Sequence, residues 1–204
     1  MQWPLQTQGL RRAVLKRAAS QYARHGWPVV PGAYPISGRF LCDRPGCPTR
    51  GCHPAFEDWQ QKAARRPADV NGWWSRRPHS VLLQTGTAFD VIEVPGNLGK
   101  AALRRLGPYR RDPVSIAPNG RWMFFVRRGE QLRAELTDQL RVILHSEGSW
   151  VPAPPTRFPE GRVRWLITPT DAGWRLGDPG RIQGALAAGG RCRERPDQVS
   201  GYRW

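Results

Sequence analysis

The stretch from Ser80 to Val126 constrains the fold most tightly, because it alternates β-rich runs with turn residues at short intervals. Ser80-Val81-Leu82-Leu83-Gln84 and Ala88-Phe89-Asp90-Val91-Ile92-Glu93-Val94 read as two strands joined by a Thr85-Gly86-Thr87 turn. Asn97 to Leu106 carries helical spacing in Leu98, Ala102 and Leu106. Val114-Ser115-Ile116-Ala117 and Arg121-Trp122-Met123-Phe124-Phe125-Val126 then flank Pro118-Asn119-Gly120, and Asn-Gly between two such runs is a strong hairpin cue. Helices and strands mixed in this order predict an α+β domain with a largely antiparallel sheet and flanking helices.

The flanks add weaker signals. Residues 9–25 read as a helix, with Leu10, Val14, Ala18 and Tyr22 as an apolar stripe and Gly26 as its stop. Trp27-Pro28-Val29-Val30-Pro31 reads as a short edge strand. Residues 32–58 read as loop. A short helix is expected over 68–76, with Val70, Trp73 and Trp74 turned inward and Pro78 beyond its end. Residues 131–141 read as a further helix. Trp150-Val151 and residues 162–167 read as strands around the proline-rich segment 152–159. From residue 169 the periodicity fades into a basic, Gly/Arg-rich tail, expected to be weakly ordered apart from a short helix near 181–188.

Charge narrows the partners. Lys and Arg total 32 against 16 Asp and Glu, for a net +16, and only Lys16, Lys62 and Lys100 are lysines. Such a surplus attracts polyanions, and arginine both forks onto phosphate and stacks on bases. An Arg-heavy, Lys-poor chain also arises from base composition alone, and acidic proteins are the competing partner class. No run of about 18 apolar residues occurs, so no membrane-spanning helix and no membrane partner are expected. The N-terminal residues lack the apolar stretch of a secretory signal, so the expectation is a soluble, cytoplasmic protein. Cysteines in such a compartment are thiols or metal ligands before they are disulfides.

Cys42, Cys47 and Cys52 are each separated by four residues, and His53 follows directly. Thiolate and imidazole are the ligands zinc prefers, and a Gly/Pro-rich loop with little core gains most from a metal clip. The candidate zinc ligands are therefore Cys42, Cys47, Cys52 and His53. Adjacent Cys52 and His53 do not easily reach one tetrahedral ion. If one drops out, the fourth ligand is Cys192, His25 or water. Three reduced loop cysteines without metal are the structural alternative.

Five segments, in order, resemble the N-terminal domain of bifunctional DNA primase/polymerases (prim-pol). ARHGWPVVP resembles its opening Ala-rich helix and Gly-Trp-x-Val-x-Pro. The loop ending Gly51-Cys52-His53-Pro54 resembles its Cys-containing segment ending in Gly-Lys-His-Pro. VNGWWSRRPHSVLLQTGTAFDVIEV resembles its Trp-Trp, Pro, Gly and hydrophobic-strand pattern. PNGRWMFF resembles its Gly-Gly-x-His-hydrophobic-aromatic-Phe strand, and GSWVPAPPTRFPEGRVRWL its closing Gly-Gly-Tyr-Val-Val-Ala-Pro-Pro-Ser segment. The resemblance spans about residues 10–167. It implies an archaeo-eukaryotic primase fold with an RRM-like sheet, occupying residues 1–168 with the Cys-bearing loop 40–54 inserted and 169–204 as the tail.

The resemblance also implies where the chemistry belongs. Nucleotidyl transfer needs metal ions bridging phosphates, held mainly by carboxylates. The family's Asp-x-Asp falls on Glu93-Val94-Pro95, its histidine on Trp122, and its last Asp near Ile143. Glu93 retains a carboxylate, whereas Pro95 and Trp122 cannot ligate. Asp90, three residues before Glu93, points to the opposite face of a regular strand. The candidate catalytic residues are thus Glu93 and Asp90. The candidate phosphate or nucleotide contacts are Asn119, Gly120, Arg121 and Trp122, whose alternative role is a plain hairpin. A strand-end carboxylate that is solvated or paired with Arg is the common structural alternative for Asp90 and Glu93. Trp122 and Phe124 share a strand face and Phe125 faces away, so at most one set is available to bases.

The leading expectation is a prim-pol domain that binds DNA, or less favourably RNA, or a nucleotide through a basic surface and has lost polymerase chemistry. One alternative is an active primase/polymerase whose magnesium or manganese site is rebuilt from Glu93, Asp90 and Glu147. The other is a scaffold for protein contacts.

Overall fold

The computed structural model describes residues 5–42, 44–107 and 112–191. Helix α1 (Leu5–Arg24) leads into β1 (Val29–Gly32) and a hairpin of β2 (Tyr34–Ile36) and β3 (Arg39–Leu41). After a long loop come α2 (Pro67–Arg76), β4 (Ser80–Gln84), β5 (Asp90–Val94) and α3 (Gly96–Leu106). The Asn-Gly hairpin joins β6 (Val114–Ile116) to β7 (Trp122–Val126), followed by α4 (Ala134–Leu140), β8 (Ile143–His145) and β9 (Trp150–Pro152). A small hairpin of β10 (Arg157–Phe158) and β11 (Gly161–Arg162), then β12 (Arg164–Ile167) and α5 (Pro179–Arg191), complete the described chain.

The fold is α+β and its sheets are antiparallel. A five-stranded sheet runs in the order β12-β6-β7-β5-β8, and a three-stranded sheet in the order β1-β4-β9. Every pairing within these sheets is antiparallel. Residues directly opposite share a face, so Glu93 lies beside Met123 and Ile143, while Val94 lies beside Trp122.

Both faces of the five-stranded sheet are covered. On one, Val91, Met123 and Phe125 join Leu15, Tyr22, Trp27, Leu83 and Phe89 in one core. On the other, Ile92, Val94, Phe124 and Val126 pack with Leu98 and Ala102 of α3 and Ile182 and Leu186 of α5. Trp27 is central to the first core: its ring stacks on Phe125 at 5.1 Å and lies 4.8 Å from Phe89 and 5.9 Å from Tyr22. The Tyr22 hydroxyl donates to the Pro154 carbonyl at 2.7 Å and accepts from the Trp165 indole at 3.0 Å. Burial raises the Tyr22 pKa far above its ordinary value, more than the Trp165 hydrogen bond lowers it.

Two close approaches need glycine. A Cβ on Gly86, where φ is +79°, would lie 2.2 Å from the Glu147 backbone, so the β4–β5 turn seats directly on the β8–β9 turn. A Cβ on Gly99 would come within 2.9 Å of the Trp122 ring, so α3 presses its bare backbone onto that indole.

Three expectations shift. In α1 the buried residues are Leu15, Ala19, Tyr22 and Ala23, while Leu10 and Val14 are 69% and 49% exposed. A strict four-residue spacing drifts about 40° per step around a helix, so Leu10 lies about 120° from Tyr22 and off the core stripe. Residues 32–58 contain the β2–β3 hairpin, which Tyr34-Pro35 and the flanking glycines mask in the sequence. The basic segment from 169 carries α5, a 13-residue helix with Ile182 and Leu186 fully buried against α3. Residues 192–204 lie outside the described chain.

Trp27→Ala removes the ring on which Tyr22, Phe89, Phe125, Trp165 and Trp174 converge. It is expected to lower the unfolding free energy by about 3–5 kcal/mol, read from the midpoint shift in guanidinium denaturation at unchanged slope.

Candidate functional site

Strand β5 is flanked by β7 and β8, and its end carries Glu93. The Glu93 side chain is 18% exposed. Its two oxygens have different partners. Arg121 Nε donates to Oε1 in a short ion pair, and His145 Nε2 lies 2.7 Å from Oε2. Arg121 is further fixed by its Nη2, which donates to the Arg141 carbonyl at 2.9 Å and the Glu93 carbonyl at 3.3 Å. With Nε2–H donating to Glu93, His145 Nδ1 accepts from the Ser149 hydroxyl at 3.0 Å. Burial pushes the Glu93 carboxyl up, but the hydrogen bonds and charges of His145 and Arg121 outweigh it and hold its pKa below the ordinary value.

Asp90 does not join this group. It pairs across the sheet with Val126, is 3% exposed, and accepts the Gly129 N–H through Oδ2 at 3.1 Å. Burial raises its pKa, and the Gly129 and Gly86 N–H groups and the Arg128 charge only partly offset that. Glu147 is exposed in the turn over Gly86.

The contiguous set Asn119, Gly120, Arg121 and Trp122 is divided by the pleat. Asn119 and Gly120 are the exposed hairpin tip, with the Gly120 N–H donating to Ala117 and Asn119 Oδ1 accepting from the Arg121 N–H at 3.1 Å. Arg121 turns to Glu93. Trp122 pairs with Val94 on the opposite face, against α3. Phe124 and Phe125 are both fully buried, one in each core, so neither is open to a base.

The Cys-bearing loop makes a second cluster. Among the described residues, Cys42, Cys47 and His53 are the group of His, Cys, Asp or Glu whose ligand atoms could share one ion, all lying within 4.8 Å of one another. Cys47 Sγ is 3.4 Å from His53 Nε2, and Arg44 Nη2 donates to Cys47 Sγ at 3.1 Å. The Thr49 backbone N–H is the main cause lowering the Cys47 pKa, with help from Cys42 and Arg44. Cys52 stands outside the cluster, beside Ser80, and burial pushes its thiol up to about 12. His25, weighed as a fourth ligand, instead stacks on Trp174 at 3.6 Å. Cys192 lies outside the described residues.

A scan of protein families matches the chain over residues 19–176 to the bifunctional DNA primase/polymerase, N-terminal domain. The chain belongs to this prim-pol family. Curated proteins give no match. The prim-pol match extends from the second half of α1 past β12, so it takes in both sheets and the Cys-bearing loop.

Within this prim-pol fold, the neighbours of Glu93 differ from those that motif spacing suggests. The residue of the β7 hairpin that shares its face is Arg121, one position before Trp122. Pleat parity decides this: Glu93 pairs with Met123, and Arg121 is two residues from Met123. His145 matches no motif position. Its position in the sequence puts it near the expected last acid, but only the pairing of β8 with β5 puts it opposite Val91 on that same face.

Because the Glu93 pKa is depressed in the fold, its stabilising contribution is complete above the ordinary carboxyl range and is lost as pH falls through the lowered folded value. Glu93→Gln should therefore lower stability by about 1–3 kcal/mol at neutral pH. It should also flatten the acid limb of a melting-temperature profile between neutral pH and pH ~3.

Proposed function

We propose that this prim-pol domain binds DNA or a nucleotide through its arginine surface and does not join nucleotides. The observation that carries the reading is the double occupation of Glu93. A magnesium or manganese ion needs carboxylate oxygens turned toward it. Here one oxygen faces a guanidinium and the other an imidazole. The positions that resemble the other acids hold Pro95, which offers no ligand, and Ile143, an apolar side chain 45% exposed. Asp90, on the other face, does not complete the set. These residues do not fit a pair of divalent ions.

The binding surface is argued from charge. Arg157 and Arg162 face each other directly across β10 and β11, and both are exposed. Burial first, and then the charge of Arg157, lowers the Arg11 pKa, so α1 brings a third guanidinium to the same hairpin. Like charges set opposite one another cost stability, and a phosphate chain lying across them reverses that cost. The family is that of DNA primase/polymerases, which favours DNA over RNA as the polyanion. For the Cys/His cluster we propose zinc, because two thiolates and an imidazole are its preferred donors.

Template-directed nucleotide incorporation by the full chain should stay at background with magnesium or manganese. Filter binding of single-stranded DNA should weaken steeply with salt, and Arg157→Glu with Arg162→Glu should flatten the log–log slope by about 0.7 per lost phosphate contact. Primer synthesis that Glu93→Gln abolishes would overturn the reading in favour of an enzyme. No salt-sensitive binding, with a protein partner retained after nuclease treatment, would overturn it in favour of a scaffold.

A further inference from the structure

We propose that Ser149, His145 and Glu93 form a nucleophile, base and acid chain through which the domain hydrolyses carboxylic esters of small apolar acyl groups. This activity is separate from nucleic-acid binding and uses none of the surface arginines.

The chain is read from hydrogen bonds. Glu93 Oε2 lies 2.7 Å from His145 Nε2, and His145 Nδ1 lies 3.0 Å from Ser149 Oγ. Arg121 holds the other oxygen of Glu93, which favours the carboxylate. A carboxylate only accepts, so Nε2 carries the proton and Nδ1 turns its lone pair to the Ser149 hydroxyl. That order is an acid that orients a base, and a base that takes the proton of a nucleophile. Either ring nitrogen serves as the base, because the acid on one fixes the lone pair on the other.

Sheet pairing alone does not account for the serine. Arg121 already supplies the counter-charge of Glu93. The β8–β9 turn is braced without the imidazole. The Ser149 N–H donates to the Ser146 carbonyl at 3.2 Å, and the Ser149 carbonyl accepts the Thr85 N–H at 3.0 Å. The Thr85 hydroxyl donates to the Ser146 carbonyl at 2.6 Å. The nucleophile therefore stands on a fixed backbone, as precise chemistry requires.

The surroundings set the substrate class. Ser149 is half-buried, and the His145 side chain is 18% exposed, so both are within reach of a small molecule. A Cβ on Gly148 would lie 3.6 Å from Gln60 Nε2, which puts an exposed amide donor beside Ser149. Such a donor stabilises the oxyanion that forms on a carbonyl under attack. Ile143, two residues before His145 and so on its face of β8, is 45% exposed and offers apolar contact to an acyl group.

In the first half-reaction, Ser149 Oγ bonds to the ester carbonyl carbon and its proton moves to His145 Nδ1. The displaced electron pair rests on the carbonyl oxygen, beside Gln60. It returns as the bond to the alcohol oxygen breaks, and the alcohol leaves with the proton from Nδ1. Water then attacks the acyl-serine and passes a proton to Nδ1, and Ser149 Oγ recovers that proton on leaving. The sum is ester plus water giving acid plus alcohol, with no change in oxidation state.

The test uses the full chain, with p-nitrophenyl acetate as substrate and a fluorophosphonate as covalent probe. The wild type should turn over the ester and carry the probe on Ser149, located by peptide mass spectrometry. Ser149→Ala should abolish both signals. His145→Gln should slow labelling by at least about 100-fold. Glu93→Gln should lower kcat by at least about 10-fold at unchanged KM, as a positioning residue does. Gln60→Ala should lower kcat by about 100-fold. Melting curves establish which variants are folded, and wild type unfolded in guanidinium should not label, which ties activation to the fold without any substitution. No label on Ser149 in the folded wild type would overturn the proposal. Wild-type labelling in a folded His145→Gln variant would overturn the base and with it the chain. Unchanged kcat in Gln60→Ala would overturn the oxyanion donor. Binding of single-stranded DNA by the same wild-type preparation reports separately on the nucleic-acid reading.

Discussion

A carboxylate near the end of a strand that has neighbours on both sides must find its counter-charge in those neighbours, because burial removes most of its water. Glu93 meets this constraint with one cation-bearing side chain from the β6–β7 hairpin and one imidazole from β8. The three groups lock β7, β5 and β8 in register at the end where the sheet would otherwise fray. They also occupy both oxygens of the acid. An oxygen that accepts a guanidinium or imidazole N–H has its lone pairs directed at the protein, whereas metal-assisted phosphoryl transfer needs them directed into a cleft. One set of contacts thus satisfies both carboxylate oxygens and ties three strands together.

Coverage of the sheet limits what else the domain can do. An RRM-type platform requires a free face with aromatic side chains standing on it. Here α1 and the three-stranded sheet's core lie on one side, with α3 and α5 on the other. The tryptophans serve this enclosure: Trp27 and Trp74 are buried, and Trp122 is pressed under α3 where Gly99 lets the helix approach. The exposed Arg157 and Arg162 stand away from these covered faces, opposite each other on β10 and β11.

Period-two strands with buried faces were legible in the sequence, since Ser80–Gln84, Asp90–Val94 and Trp122–Val126 each combine β-branched or aromatic residues with a turn signal. The α1 stripe was legible as a helix but not as a face, because its four-residue spacing drifts away from 3.6. Helix α5 was legible only as a short helix near 181–188, because glycines and arginines dilute its periodicity, and its burial comes from tertiary contact with α3 rather than local propensity. At the site, Glu93 was identifiable from its strand. Its partners were not, because Arg121 and His145 lie 28 and 52 residues away and only register brings them together. The cysteine spacing pointed to the loop where Cys42, Cys47 and His53 come together, but which thiols converge depends on the backbone path through Cys52 and His53.

Carboxylates placed on one face of adjacent strands repel unless divalent cations sit between them, so a two-metal site is destabilising in the ion-free state. Replacing that arrangement with an acid, a guanidinium and an imidazole converts repulsion into attraction while keeping the strand pairings. The hydrophobic Ile143 beside Glu93 points the same way, since an apolar residue there lowers the local dielectric and strengthens the ion pair. The cost is that Arg121 and His145 become structurally committed. Breaking either contact leaves a half-buried charge without its partner, so restoring a metal site would require at least Arg121, His145 and Ile143 to change together. That coupling makes the present arrangement self-consistent as a structural end of the sheet.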